Sequence, residues 1–223
     1  MSTTPLGSWR SQGSDRPVAS HRLCIAIPVP DPAGRQIDEA RRLLQPGKRH
    51  MAAHLTIIAT TEVSDADLGG VLALVAQAAR AVGPFRVRLQ GSATFEPAGS
   101  VVFAVVTEGR EQCQGLRERL ARPPLPAGAG RPFTPHATVA NRVDEVLRDR
   151  ALALFSAFEA EFVVDRVCVY EHGADGWAVI SEAGTAGTGV RSEGAYADHP
   201  GCPPASAADE SRPSRRTGRR PQE

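Results

Sequence analysis

His54-Leu55-Thr56-Ile57-Ile58 and Thr134-Pro135-His136-Ala137-Thr138-Val139-Ala140 share one pattern, His-x-Thr inside an apolar run, and that pattern organises the reading of the whole chain. Successive side chains of a strand alternate faces, so His54 and Thr56 stand on one face and Leu55 and Ile57 on the other. His136 and Thr138 stand opposite Ala137 and Val139 in the same way. Each stretch reads as a strand with a polar pair on one side and a core on the other. With six histidines in the chain, about one such triplet arises by accident, and a single instance is most simply a partly buried His held by a neighbouring hydroxyl. Two in register carry more.

The elements around the two stretches repeat. Leu23 to Pro30 (LCIAIPVP) is a predicted strand with its prolines confined to the end, where they interrupt a ladder. Residues 34–45 place Ile37, Ala40, Leu43 and Leu44 at helical spacing, and Pro46-Gly47 ends the helix. After the His54 strand, Ser64 with Asp67 three residues on caps a helix running to about Val82. Phe85 to Leu89 alternates as a strand. The order then recurs: a strand from Ser100 to Val106, a helix from Glu111 to Arg122, the His136 strand, a helix from Asp144 to Phe158 and a strand from Phe162 to Tyr170. Asp175-Gly176 turns the chain into a last strand at Trp177–Ile180. Leu23 and Val101, His54 and His136, and Phe85 and Phe162 are each separated by roughly 80 residues. The expectation is a divergent duplication, strand-helix-strand-helix-strand twice over, with one His-x-Thr strand in each half.

Composition bounds the rest. The 223 residues carry a formal net charge of +1, which gives no strong global field to draw in a polyanion or a membrane surface. Residues 1–20 are polar and broken by Pro and Gly, and 184–223 hold almost no large apolar side chains. The foldable part is therefore 21–183, one domain, between an N-terminal extension and a C-terminal tail expected to be disordered. The tail's six arginines among five acids leave it nearly neutral. No apolar run reaches the length of a membrane span and no leader pattern opens the chain. Cys24, Cys113, Cys168 and Cys202 are scattered without a C-x-x-C pair, which points to a reduced, cytoplasmic setting and no cysteine-built metal site.

Two imidazoles and two hydroxyls suit a phosphate ester. Opening a cyclic phosphodiester needs a base to take a proton from water and an acid to protonate the departing oxygen, and histidine does either near neutrality. Threonine hydroxyls donate to the non-bridging oxygens, where charge grows in the transition state. Nothing in that scheme calls for a cofactor or a metal.

The residues also carry a resemblance. Arg131-Pro-Phe-Thr-Pro-His-Ala-Thr-Val-Ala140 resembles the second signature of the 2H phosphoesterases, named for two H-x-[T/S] motifs, and His54-Leu-Thr-Ile resembles the first. The opening strand and Tyr170-Glu-His-Gly-Ala-Asp-Gly-Trp177 are similar to bacterial members, so the likeness spans about 22–181. The best-known branch is the 2′-5′ RNA ligase / RNA 2′,3′-cyclic phosphodiesterase family. The resemblance implies an α+β, bilobal fold, two pseudo-twofold-related lobes of antiparallel sheet plus helices around a central cleft. It implies catalysis by His54, Thr56, His136 and Thr138. It implies ATP-independent opening of 2′,3′-cyclic ends to 2′-phosphates, with 2′-5′ joining as the reverse. RNA ends or small cyclic nucleotides would be the substrates of a monomeric enzyme. Two positions depart from the pattern. Ala53 stands where many members have Pro, and the arginine many members place five residues after the second His is here Asn141, with Arg142 next as the candidate phosphate contact.

Other readings compete. Phe133 and Tyr170 are candidates to stack on a base, or ordinary core. His50 and His54 have metal-ligand spacing for a helix, but their surroundings read as loop and strand. Arg86 and Arg88 share a strand face, which is a solvated face or an RNA track. The glycines of 184–189 open no helix and make no nucleotide loop. The same fold without catalysis, as a nucleotide or RNA-end binding module, is the rival from another class.

Overall fold

The computed structural model describes residues 20–48, 50–95, 100–126 and 132–186; most of the expected extension and tail lie outside these. In chain order the elements are β1 (Ser20–Pro28), α1 (Ala33–Leu44), β2 (His54–Ser64), α2 (Asp65–Val82), β3 (Phe85–Thr94), β4 (Val101–Glu108), α3 (Arg110–Leu120), β5 (His136–Asn141), α4 (Glu145–Phe155), β6 (Glu159–Val164), β7 (Arg166–Gly173) and β8 (Gly176–Gly184). The architecture is α+β. All the strands join one antiparallel sheet in the order β6-β3-β4-β5-β2-β1-β7-β8.

Alternation sorts each strand's residues to two faces. Leu23, Ile25 and Ile27 of β1, Leu55 and Ile57 of β2, Val102, Ala104 and Val106 of β4, and Ala137 and Val139 of β5 enter one core under the helices. Burying a Leu or Ile side chain stabilises by about 1.5–3 kcal/mol, so this face fixes strand register. A slip of one residue would turn every His-x-Thr side chain into the core. Helix α2 packs on β1, β2, β7 and β8, and α4 packs on β3, β4 and β5. Helices α1 and α3 each cross to the other half of the sheet, α1 packing on β5 and α3 on β2. Caps fall where the sequence places them: Ser64 Oγ accepts from the Asp67 amide at 3.2 Å, and Asp144 Oδ1 from that of Leu147 at 2.9 Å.

The strands are connected differently from the expected twofold repeat. Phe162 to Tyr170 is two strands, not one: β6 pairs with β3 at one edge, while β7 pairs with β1 and β8 in the other half. The break falls at Asp165, whose backbone carbonyl accepts from the Thr185 amide at 2.8 Å. Phe85 and Phe162 are therefore not equivalents, since β3 and β6 are neighbours in which Phe85 faces Val164 and Val87 faces Phe162. Each half of the sheet borrows a strand that follows the other half's second helix: β3 comes after α2, and β7 follows α4 through β6. Sequence spacing alone cannot reveal such an exchange. In the β7–β8 hairpin Gly173 pairs with Gly176, so Ala174 and Asp175 form the turn rather than Asp175-Gly176. β8 runs through Gly184 and Thr185 is 3% exposed, which carries the ordered chain past the expected boundary at 183.

Among the described residues no helix is long and apolar enough to cross a membrane. Arg86 pairs with Glu161 and reaches Glu108, and Arg88 pairs with Glu159, so the two arginines are neutralised across the sheet.

Gly109 caps α3 with φ +86°, and a Cβ there would sit 2.5 Å from the Arg86 carbonyl oxygen and 2.9 Å from Val87 Cγ2. Gly70, inside α2, has open space at the same position. Urea unfolding should show Gly109→Ala destabilised by at least about 1–2 kcal/mol and Gly70→Ala stabilised by about 0.5–1 kcal/mol. Equal shifts in the two variants would contradict the geometry.

Candidate active site

The two halves of the sheet meet at β2 and β5 through a single paired position, Leu55 with Ala137. That pairing sets His54 across from Thr138 and Thr56 across from His136, all on the face turned away from the helices. The two His-x-Thr motifs thus run antiparallel, side by side, about a local twofold.

Each motif is built alike. His54 Nδ1 is 2.6 Å from the Ala52 carbonyl oxygen, and His136 Nδ1 is 2.7 Å from that of Thr134. A carbonyl only accepts, so both rings carry their proton on Nδ1 and keep the Nε2 lone pair for other use. The rings are partly buried. Burial is the main force pushing His54 down, to about 3, with the positive charges of Arg41 and of His136 adding to it against the bond to Ala52. Burial also lowers His136, while its bond to Thr134 raises it. The register of β2 and β5 sets the two rings on neighbouring strands of one face.

The walls differ between halves. His136 packs against Phe103 at 5.0 Å and edge-on to Phe95 at 5.1 Å between ring centroids. Beside His54 the face is lined by a small apolar cluster of Cys24, Ala26, Cys168 and Tyr170, with Met51, Trp177 and Val179 against it. The rings of Tyr170 and His54 lie 6.3 Å apart. The Cys24 thiol meets Thr56, and burial pushes it up to about 12, so it stays protonated and is no nucleophile near neutrality.

Two arginines complete the seam. The Arg41 side chain, 4% exposed, donates through Nε and Nη2 to the Thr138 carbonyl at 2.9 and 2.6 Å, and through Nη1 to the Met51 carbonyl and to Asp38 Oδ1, both at 2.9 Å. Arg117 Nη1 donates to the Ile57 carbonyl at 2.6 Å, and its guanidinium lies 5.1 Å over the Phe133 ring. These side chains thus supply hydrogen bonds to backbone carbonyls of the two strands that carry the motifs.

Of the residues singled out from the sequence, His54, Thr56, His136, Thr138 and Tyr170 come together on this face. Phe133 packs against the main core under Arg117. Arg142 lies just past the opposite end of β5 from His136, exposed, with φ +56°. His50 is exposed ahead of β2, and among the described residues no three His, Cys, Asp or Glu side chains cluster to hold a metal ion. Phe95, Phe103, Cys24, Arg41 and Arg117 were missed. The arginines had a signal: Ile37-x-x-Ala40-Arg41-x-x-Leu44 and Cys113-x-x-Leu116-Arg117-x-x-Leu120 each set an arginine inside the buried stripe of a helix.

Residues 29–176 match the 2′-5′ RNA ligase superfamily. The chain belongs to that superfamily, one of the 2H phosphoesterases. A Bacillus pumilus protein whose name assigns it provisionally to the phosphoesterases is 28% identical over 105 residues, which are 47% of this chain and 61% of that relative. The match thus spans about three fifths of the relative's length. Among solved structures, E. coli LigT complexed with 3′-AMP superposes with a TM-score of 0.56 at 20% identity, covering 74% of this chain and 98% of LigT. The protein TT0787 of Thermus thermophilus gives 0.53 at 23% identity, covering 75% and 100%. These likenesses establish the superfamily's antiparallel α+β fold.

Ring titrations by NMR should place both His54 and His136 below the ordinary 6.5, His54 near 3, with Nδ1-H tautomers above their midpoints. Because the unfolded chain then binds more protons, stability should fall as pH drops from about 6.5 toward the folded midpoints and owe nothing to these groups above about 7.5. His21 acts with the opposite sign. Its bonds to Glu171 and Asp65 raise it, so its contribution is complete below 6.5 and is lost as pH rises through the folded midpoint. A His54 midpoint at or above 6.5 would contradict this electrostatic picture.

Proposed function

We propose that the protein is a cyclic phosphodiesterase that opens 2′,3′-cyclic phosphate ends to 2′-phosphates, or reversibly joins 2′-5′ linkages, by acid–base catalysis at His54 and His136. The observation that carries this reading is the seam itself: two His-x-Thr motifs on neighbouring antiparallel strands, facing one way, with both rings turned by a backbone carbonyl so that Nε2 is unencumbered.

One histidine, neutral, accepts a proton at Nε2 from a water that attacks phosphorus. The bond from phosphorus to the 3′ oxygen breaks, and the other histidine, protonated, gives its Nε2 proton to that oxygen. Thr56 and Thr138 donate hydroxyl protons to the non-bridging oxygens, whose charge grows as water adds. After one turnover the protons have exchanged owners, and exchange with solvent restores the pair. Ligation runs the same steps in the same direction with a 5′ hydroxyl in place of water: its oxygen bonds phosphorus, its proton goes to the basic histidine, and the phosphorus–3′ oxygen bond breaks to leave a 2′-5′ linkage, which the reversed steps cleave back to the cyclic end.

The substrate is gripped locally. On the same face as His136, Arg86 and Arg88 are already tied to Glu161, Glu108 and Glu159, so this part of the sheet offers no ready track for a phosphate backbone. That favours recognition limited to an RNA end or a small cyclic nucleotide. Met51, Trp177 and Val179, the partly exposed residues on the apolar cluster beside His54, offer a surface for the adjoining base or ribose. In the superfamily, E. coli LigT has been crystallised with 3′-AMP, which fits a nucleotide-sized substrate.

The test is turnover of 2′,3′-cyclic-ended RNA and of cyclic mononucleotides in EDTA. His54→Ala and His136→Ala should each lose about 10²–10⁴-fold in kcat, as general acid–base groups do. Activity that survives both substitutions, or that needs a metal, would contradict the mechanism. Absence of turnover on every cyclic phosphate, with nucleotide still bound, would instead establish a binding module. With both free-enzyme midpoints lowered, kcat/KM should peak on the acid side of pH 7, and the kcat optimum should lie higher because bound phosphate stabilises the protonated ring.

A further inference from the structure

We propose that Arg41 and Asp38 form a positioning pair for the two-histidine centre, clamping the strand that carries His136 and Thr138 to the segment that delivers His54; the proposal rests on the function inferred above. Arg41 touches no reacting atom in this arrangement. Its work is to hold two backbones.

The geometry is asymmetric in a way the duplication does not require. Arg41 directs four donor contacts to three acceptors: the Thr138 carbonyl twice, the Met51 carbonyl and Asp38. Asp38 in turn accepts from the Ala53 amide at 3.2 Å, and the Ala53 carbonyl accepts from the Val29 amide at 2.9 Å. Met51, Ala52 and Ala53 are thus each held by a backbone atom, the Ala52 carbonyl by the His54 ring itself. At the equivalent place before the second motif stands Pro135, which has no amide hydrogen to give. Ala53, where many superfamily members carry Pro, is therefore the residue that lets a carboxylate on α1 reach the first motif.

The mirror-image arginine has a lesser hold. Arg117 makes its bond to Ile57 and rests on Phe133, is only partly buried, and sits four residues after Cys113 as Arg41 sits four after Ile37. Arg41 is the buried charge of the two, and among the charged and titratable groups around His54 (Arg41 with Asp38 on α1, His136 on β5, Tyr170 on β7) it is the permanent cation. A buried guanidinium matched to one carboxylate is costly to place and strongly resists removal of its partners. It supplies fixed positive potential behind the seam, where an anionic ester would bind, without occupying the face where the chemistry runs.

The experiment compares wild type with Arg41→Lys, Arg41→Met and Arg117→Met, measuring kcat and KM on a 2′,3′-cyclic mononucleotide and the His54 and His136 ring titrations by NMR. Arg41→Lys keeps the charge and loses the fork on Thr138, so kcat should fall about 10- to 100-fold, the cost of a small misplacement, with KM changed less than about threefold and the His54 midpoint still low. Arg41→Met should lose at least as much activity and raise the His54 midpoint, moving it more than Arg117→Met does. If Arg41→Met does not fold, the lysine variant carries the test alone through its drop in kcat. Turnover within about twofold of wild type in the Arg41 variants, or a His54 midpoint that moves no more in Arg41→Met than in Arg117→Met, would overturn the proposal. Failure of the function itself reads differently: wild type then shows no histidine-dependent turnover, while the ring titrations still judge Arg41.

Discussion

The paired position Leu55–Ala137 joins two four-stranded halves into one sheet, and the placement of the candidate site depends on it. Both residues are fully buried on the helix side, so their packing decides that the residues flanking them, His54 and Thr56 on one strand and His136 and Thr138 on the other, emerge together on the opposite face. Arginines from the two crossing helices bond the Thr138 and Ile57 carbonyls beside this junction. These bonds tie α1 and α3 to the two strands that carry the motifs.

The electrostatics follow from the same construction. Rings held by the carbonyl two residues earlier and packed against Phe103, Phe95 and Tyr170 lose hydration, and desolvation favours the neutral form. Arg41 adds to this at His54. A site of two neutral imidazoles backed by a buried cation is poised for an anion, since a bound phosphate returns what burial removed and lets one ring hold a proton. The same groups make the fold less stable in acid, so readiness for the ligand and resistance to low pH oppose each other here.

Much of the fold was legible because strands and helices announce themselves by period. The helices α1 to α4 and the two His-x-Thr strands follow from spacing, capping residues and Pro-Gly stops. The run from Phe162 to Tyr170 was misread because its apolar alternation continues across Asp165, and only long-range pairing shows that its two parts lie in different halves. The catalytic candidates were visible as repeated triplets at equivalent places. The supporting shell was harder to see: Phe103 looks like any strand residue, and whether Phe133 or Phe95 approaches a histidine depends on how the strands are laid side by side. Arg41 and Arg117 were nearer to legible, since a charge inside an apolar helical stripe asks for a buried partner. For Arg117 that partner is a backbone carbonyl, which a sequence does not display, and for Arg41 it is a carbonyl together with Asp38 three residues earlier.

The central claim is that His54 and His136 serve a single phosphate. A crystal structure of the protein with a nucleoside 2′-monophosphate tests it most directly. One phosphate is expected over the β2–β5 seam, with both Nε2 atoms within about 3.2 Å of its oxygens and the Thr56 and Thr138 hydroxyls on the remaining ones. A phosphate bound away from the seam, or held by one histidine while the other faces elsewhere, would contradict it.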